Sequence, residues 1–332
     1  MPIPTIVSGG VLTNDDLNAI NSVISQVNAG TLGGSAPSTT LDYFPARVGP
    51  AATTGAPTIA QCQALVAAVA ANVADKVIQN SAVLRYIFRS TKSGLSNGVV
   101  TTDVNGVSVS PANLTNVTEA VPVDVIAANS VLAESLAHRL GAKMGKIIDG
   151  LLLAQWGQFT NKGAVGTPST KLTQTTIDQV ITTLPNLGLP IILTLSMSDA
   201  IQLATDPALG TIPGGLWPQA LFAGFLSAPD FPLSFTVPTE MMRISVTDQV
   251  AKTGSGPVTT HNLAYTPDAL GFLSNVPTPT NDSTHAQAVS TAAGLSLLVS
   301  ITNTGSGVQT VTVGGLGCGY MLTNAHGVQV LS

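Results

Sequence analysis

Residues 130–156 read SVLAESLAHRLGAKMGKIIDGLLLAQW, and the spacing of their apolar side chains decides the fold class. Leu132, Leu136, Leu140, Met144, Ile147, Ile148 and Leu151 fall on one arc of a helix. Glu134, His138, Arg139, Lys146 and Asp149 fall opposite, with Lys143 at the edge. Apolar residues at this period and a polar remainder predict one long amphipathic helix from Ser130 to Trp156. At 1.5 Å per residue it makes a rod of roughly 40 Å, longer than most globular domains need.

The segment before it has a different period. From Arg89 to Val121, Gly94, Gly98 and Gly106 punctuate β-branched stretches such as Val99-Val100-Thr101-Thr102 and Val107-Ser108-Val109, which predicts a long hairpin-like excursion. It reads as polar on both faces and short of aromatic anchors. Because an isolated two-stranded ribbon is marginal in water, it is expected to need a neighbour's surface. Further upstream, Pro57-Thr58-Ile59-Ala60-Gln61 places Thr and Gln at capping-box spacing. Cys62, Val66, Val69, Val73 and Val77 then form one face of a helix to about Gln79. Thr13 to Gly30 predicts a short amphipathic helix with Leu17, Ile20, Ile24 and Val27 on one side. Residues 30–57 are too poor in large apolar groups to form a core, so they are either flexible or laid along another surface.

Downstream, Thr173 to Leu184 predicts a helix, Leu189 to Leu195 a buried strand and Ser198 to Thr205 a short helix ended before Pro207. Residues 207–240 are rich in Pro and Gly. Met241 to Val246, Leu295 to Thr302, Val308 to Val313, Gly319 to Thr323 and Val328 to Leu331 predict strands. Helix and sheet are partly segregated, an α+β fold.

The 332 residues are 44% hydrophobic and only 9% charged, against roughly 25% charged in an ordinary soluble domain. Thr, Ser, Asn, Gln and Gly must therefore cover most of the surface. Such a surface suits a protein packed against copies of itself, since interface cores are depleted of charge. A net charge of −5 argues against a dedicated nucleic-acid reader. No apolar run approaches the ~18 residues of a membrane helix, and Met1-Pro2-Ile3-Pro4-Thr5 does not begin as an export leader. Cys62 and Cys318 stand far apart without ligand spacing, which predicts two buried, reduced thiols.

Chemistry is sparse. Gly94-Leu95-Ser96-Asn97-Gly98 matches G-x-S-x-G, but a nucleophile elbow needs a buried strand before it and a helix after it. Here a basic segment, Arg89-Ser90-Thr91-Lys92, leads in and β-like sequence leads out, so a Gly-rich turn with an inert Ser96 is expected. Gly314-Gly315-Leu316-Gly317-Cys318-Gly319 lacks phosphate-loop spacing and reads as a bulged strand junction. His138, His261, His285 and His326 stand singly, with no acidic partner at ligand spacing. No catalytic, cofactor or metal site is predicted.

Taken in order, the elements from about Val83 onward resemble the major capsid proteins of tailed bacteriophages, the Hong Kong 97-like fold. Leu84-Arg85-Tyr86-Ile87-Phe88-Arg89-Ser90-Thr91-Lys92-Ser93-Gly94 looks like the start of that family's extended loop, and Val121-Pro122-Val123-Asp124-Val125 like its return strand. Leu132 to Gln155 is similar to its spine helix. His261-Asn262-Leu263-Ala264-Tyr265-Thr266-Pro267-Asp268-Ala269-Leu270 resembles its late segment, and Gly319-Tyr320-Met321-Leu322 to Val328-Gln329-Val330-Leu331 its ending. The resemblance implies an N-terminal arm at 1–57, a helical segment at 58–88 and an extended loop at 89–122. It further implies a spine helix and peripheral domain at 123–170, a mainly α/β axial domain at 171–295 and closing strands at 296–332.

In that family, arm and loop lie across adjacent subunits. The resemblance therefore implies an assembly surface at Arg89, Lys92, Gly94, Gly98 and Gly106 of the loop and Leu17, Ile20 and Ile24 of the arm. It implies homo-oligomeric hexamers and pentamers in an icosahedral shell, assembled in the host cytoplasm to form the virion capsid. That shell encloses double-stranded DNA without reading its sequence and involves no membrane. Portal and decoration proteins are further implied partners, and because no long charged extension precedes the arm, the scaffolding function is expected in a separate protein. Some members crosslink a loop Lys to an Asn; Lys92 is suitably placed, but no matching motif carries that chemistry over. Two rivals stand beside this reading. An encapsulin nanocompartment shares the fold and encloses cargo enzymes. A Thr/Asn-rich adhesin or surface-layer protein would be mainly β, without a long helix.

Overall fold

The computed structural model describes residues 56–97, 101–205, 230–234 and 241–332. The helix expected at Thr13 to Gly30, nearly all of the strip at 30–57, and Gly98 lie outside the described residues. Along the chain the helices are α1 (Ile59–Ala70) and α2 (Val73–Asn80), α3 (Val123–Ala127) and α4 (Ser130–Leu153), and α5 (Gln174–Thr183) and α6 (Met197–Thr205). Strands β1 (Phe88–Lys92), β2 (Thr102–Val104), β3 (Val107–Val109), β4 (Ala112–Asn113) and β5 (Val117–Pro122) precede α3. β6 (Ala164–Gly166), β7 (Ile191–Leu195), β8 (Asp230–Ser234), β9 (Met241–Val246) and β10 (Ala251–Thr253) follow α4. The last are β11 (Thr259–Tyr265), β12 (Leu270–Asn275), β13 (His285–Ala292), β14 (Leu295–Thr302), β15 (Val308–Gly314), β16 (Leu316–Met321) and β17 (Gly327–Leu331). The fold is mixed α+β.

The capping box at Thr58 forms as expected: Thr58 N–H donates to Gln61 Oε1 at 2.8 Å, and Gln61 N–H to Thr58 Oγ1 at 3.2 Å. The single helix expected to run to Gln79 is instead two, broken at Ala71 and Asn72. Past the break, Ala74 N–H donates to the buried Ser290 hydroxyl of β13 at 3.0 Å, in place of a carbonyl one turn back. An interaction 216 residues away in sequence thus satisfies the donor that the break releases.

Helix α4 starts at Asn129, whose Oδ1 accepts the N–H groups of Val131 at 3.0 Å and Leu132 at 3.2 Å. It ends at Leu153, so the expected last residues, including Trp156, form a 3-10 turn. Its buried face is rotated from the expected arc. Ala133, Leu136, Ala137, Leu140, Gly141, Met144, Gly145, Ile148 and Leu152 are covered, while Leu151 is 39% exposed. The rotation follows from small residues spaced four apart, Ala133, Ala137, Gly141 and Gly145, which let α2 approach closely. A Cβ on Gly141 would lie 2.7 Å from Lys76 Cβ, and one on Gly145 3.3 Å from Val77 O. Asp149, expected on the solvent face, is buried at 2% exposure; its partners are described below.

Three larger sheets surround these helices. One runs β1-β12-β16-β4, one β13-β14-β15-β5, and the largest β6-β17-β11-β7-β9-β8 with β10 added to β11. The last divides two cores by strand alternation. Ile192, Leu263 and Tyr265 face the main core with α1, α2 and α4, whereas Ile191, Leu193, Leu195 and Ala264 face a second core under α5 and α6. The five late strands expected from the sequence all form. β11, β12 and β13, not predicted as strands, form as well, and the sequence expected to return as a strand through Val125 ends at Pro122 and turns into α3.

Candidate assembly loop

The stretch between β1 and β5 leaves one sheet and returns to another. β1 is an edge strand running parallel to β12, with Phe88 opposite Gly271 and Lys92 opposite Asn275. Arg89 extends no free cation from it: Nε donates to Ala293 O at 2.9 Å, Nη1 donates to Leu84 O at 2.5 Å, and burial lowers its pKa. It thereby braces the tight turn between β13 and β14 against the start of the loop. Lys92 donates to the Thr102 hydroxyl and ties β1 to the hairpin. Gly94 has φ +74°, and a Cβ there would meet nothing within 4 Å.

β2 and β3 form their own two-stranded ribbon, with Val104 opposite Val107. Asn105 (φ 51°) and Gly106 (φ +77°) make its turn, the two successive positive φ values that an Asn-Gly pair supplies at low cost. The ribbon is not polar on both faces, as the sequence alone suggested. Asp103 and Ser108 face solvent, while Val104, Val107 and Val109 join Leu95, Leu273, Cys318, Tyr320 and Leu322 in a small apolar cluster. Tyr320, in a strand 211 residues beyond Val109, supplies the aromatic anchor that local sequence lacked. β4 then pairs with β16 and β5 with β15, which fastens the return. Glu119 of β5 accepts from Lys143 of α4 at 2.5 Å and lies 3.9 Å from Arg139. The Asn105-Gly106 dipeptide was the one local signal for this turn.

The remaining sequence candidates are scattered. Ser96 is exposed after an edge strand, and the next elements are strands, unlike a nucleophile elbow. Gly314 closes β15 and Leu316 opens β16, so the Gly-rich stretch is a strand junction. Cys62 is buried, whereas Cys318 is half-buried, contrary to expectation; burial pushes the Cys318 thiol up to about 11, far from a reactive thiolate. Two histidines do have acidic partners: His326 Nδ1 lies 2.8 Å from Asp268 Oδ2, and His285 Nδ1 lies 3.0 Å from Asp282 Oδ2. The His285 pair was visible in sequence as i, i+3; the His326 pair spans 58 residues. His261 stacks on Trp156 with ring centres 3.9 Å apart, and burial lowers its pKa. Among the described residues no group of three or more His, Cys, Asp or Glu is placed to hold a metal, and no helix is long and apolar enough to cross a membrane.

No family model and no curated protein matches the sequence. Among solved structures, the chain is similar to a virus-like particle from Pyrococcus furiosus at 10% identity, covering 80% of this chain and 98% of that one, with a TM-score of 0.42. It is also similar to the capsid of the cyanophage P-SCSP1u, at 8% identity over 76% and 88% of the two chains and a TM-score of 0.37. A third is the SrpI encapsulin complex from Synechococcus elongatus, at 10% identity over 73% and 84% and a TM-score of 0.39.

Proposed function

We propose that this chain is a structural subunit, not an enzyme, that assembles with copies of itself into a closed shell, and specifically the major capsid protein of a tailed double-stranded DNA phage. The observation that carries the reading is the order of elements. A capped helical segment leads to an excursion that leaves one sheet at β1, turns at β2–β3 and returns to another sheet at β5; a 24-residue helix and then the closing strands follow. This is the order the sequence resemblance implies. The low charge supports it, since 9% charged residues suit a surface spent on self-contact.

In this reading residues 1–57 are the arm, 58–88 the helical segment, 89–122 the loop, 123–170 the spine and peripheral region, 171–295 the axial region and 296–332 the closing strands. Neighbouring subunits meet at Arg89, Lys92, Gly94, Gly98, Gly106, Leu17, Ile20 and Ile24. Hexamers and pentamers build the virion shell around DNA in the host cytoplasm, with separate scaffolding, portal and decoration proteins.

Electron microscopy and sedimentation of the purified chain, with its scaffold where one is needed, test this. Closed particles hundreds of ångströms across are expected, and a stable monomer under all conditions overturns it. Deleting residues 1–57 should leave the fold of 58–332 intact while assembly fails or gives fragile particles, because a lost contact is multiplied around every closed ring. The encapsulin reading predicts enclosed cargo protein in place of DNA. The adhesin reading requires a mainly β chain without a long helix, and α4 weighs against it.

A further inference from the structure

The turn at 81–84 joins α2 to β1 and is the root of the loop; two further elements, α4 and β9, meet on it. From α4, Asp149 Oδ2 accepts Ala82 N–H at 2.9 Å, and Oδ1 accepts Val83 N–H at 3.1 Å together with the Ser81 hydroxyl. From β9, the Ser245 hydroxyl donates to Ala82 O at 2.6 Å. Within the turn, Ser81 Oγ accepts Leu84 N–H at 2.8 Å, and Arg85 Nε donates to Ser81 O at 2.8 Å.

Asp149 is 2% exposed, and the hydrogen-bond partners of its carboxyl named above are uncharged. Each neighbouring element brings charged or titratable groups, and none of those named below is among the hydrogen-bond partners of the carboxyl given above. Arg85 of the turn acts on Asp149 through space and lies 5.6 Å from the Tyr86 ring; Arg243 of β9 lies 5.8 Å from the same ring. Lys76 of α2 pairs with Glu134, and on α4 itself Lys143 pairs with Glu119 and Lys146 with Asp248. A carboxylate taken out of water without a contacting cation favours its neutral form.

We propose that Asp149 is a proton-operated latch, fastening the root of the loop to α4 more firmly when its carboxyl is protonated than when it is ionised. The Ser81 hydroxyl makes both states workable, because it can donate to the carboxylate or rotate to accept from the carboxylic acid. Burial outweighs the hydrogen bonds from Ser81, Ala82 and Val83 and raises the pKa from 3.8 to about 6. The closed form therefore binds the proton more tightly than an opened, solvated one. Opening is hardest below pH 4 and becomes easier as pH rises through about 6. The latch does not depend on whether the chain builds shells.

Hydrogen exchange of the Ala82 and Val83 amides, measured in the full chain from pH 5 to 7.5 and corrected for intrinsic rates, reads the latch directly. Opening should be about tenfold more frequent at pH 7.5 than at pH 5. In Asp149→Asn the opening should lose its pH dependence, while Ser81→Ala should open more often yet keep it. A flat wild-type profile, or an unchanged slope in Asp149→Asn, overturns the proposal. Where Asp149→Asn fails to fold, the side-chain carbon titration of Asp149 in the wild-type chain decides. A midpoint near 6 supports the latch and one in the ordinary carboxyl range overturns it.

Discussion

Helix α4 buries one face against α2, the turn at 81–84 and the sheets beneath it, whereas the β2–β3 hairpin keeps its strand hydrogen bonds to itself. Among the described residues the hairpin reaches the body through three valines over Leu273 and Tyr320 and through the Lys92 tether. Both segments are amphipathic, yet they differ in what depends on them. Removing α4 would uncover the main core; lifting the hairpin would expose a small satellite cluster. A segment held this way can open without unfolding the rest, the pattern expected of parts that move or exchange partners.

That contrast can be broken most severely in the helix. Ala142→Pro removes a hydrogen bond and introduces a clash in the middle of α4, which should cost about 3 kcal/mol or more, a large share of the roughly 5–15 kcal/mol that stabilises a native domain. Soluble yield and thermal stability should fall sharply; near-wild-type values would mean the rod is not continuous. Next, Gly141→Ala places a methyl 2.7 Å from Lys76 Cβ and 2.9 Å from Lys76 C. Forcing α2 away should cost about 1–3 kcal/mol, read from denaturant midpoints, and an unchanged midpoint would show that the two helices yield freely.

The hairpin should respond locally. Val109→Ala, at a side chain 5% exposed, removes two CH2 equivalents, about 1.6 kcal/mol of apolar contact at roughly 0.8 kcal/mol per buried CH2. Exchange of the hairpin amides should quicken about tenfold while the global melting temperature barely moves. A matching fall in global stability would mean that hairpin and core unfold together. The smallest effect is expected for Lys146→Met. Its 2.7 Å pair with Asp248 joins side chains 57% and 55% exposed, so screening leaves about 0–1 kcal/mol. A loss much above that would make the pair part of the attachment of α4.

Much of the fold was legible in the sequence. The capping box at Thr58, the long helix, the buried strand at β7 and the strands β9, β14, β15, β16 and β17 all follow from local period and cap chemistry. β11 was missed because Thr259–Tyr265 is buried on nearly every residue and shows no alternation. β13 was missed for the opposite reason: Gln287, Ala288 and Val289 are half-buried and weakly patterned. Of the stretch between β1 and β5, the turn glycines Gly94 and Gly106 were visible in the sequence, but its anchorage was not. The side chain of Arg89 is occupied by carbonyls of Leu84 and Ala293, the latter 204 residues away.

What the sequence alone determined is the set of elements marked by local period, caps and turn dipeptides, because these signals act over a few residues. Which face each element buries was decided by tertiary structure. Asp149 reads as a solvent residue on a helical wheel, yet it is buried because Ser81, 68 residues earlier, brings a turn full of unpaired donors against it. The valines of the hairpin read as a ribbon without an anchor until Tyr320 lies beneath them. A helix carries its own hydrogen bonds and a strand its own side-chain alternation, so each leaves a local signal. Burial is a property of two surfaces, and the second surface is supplied by residues far away in the chain.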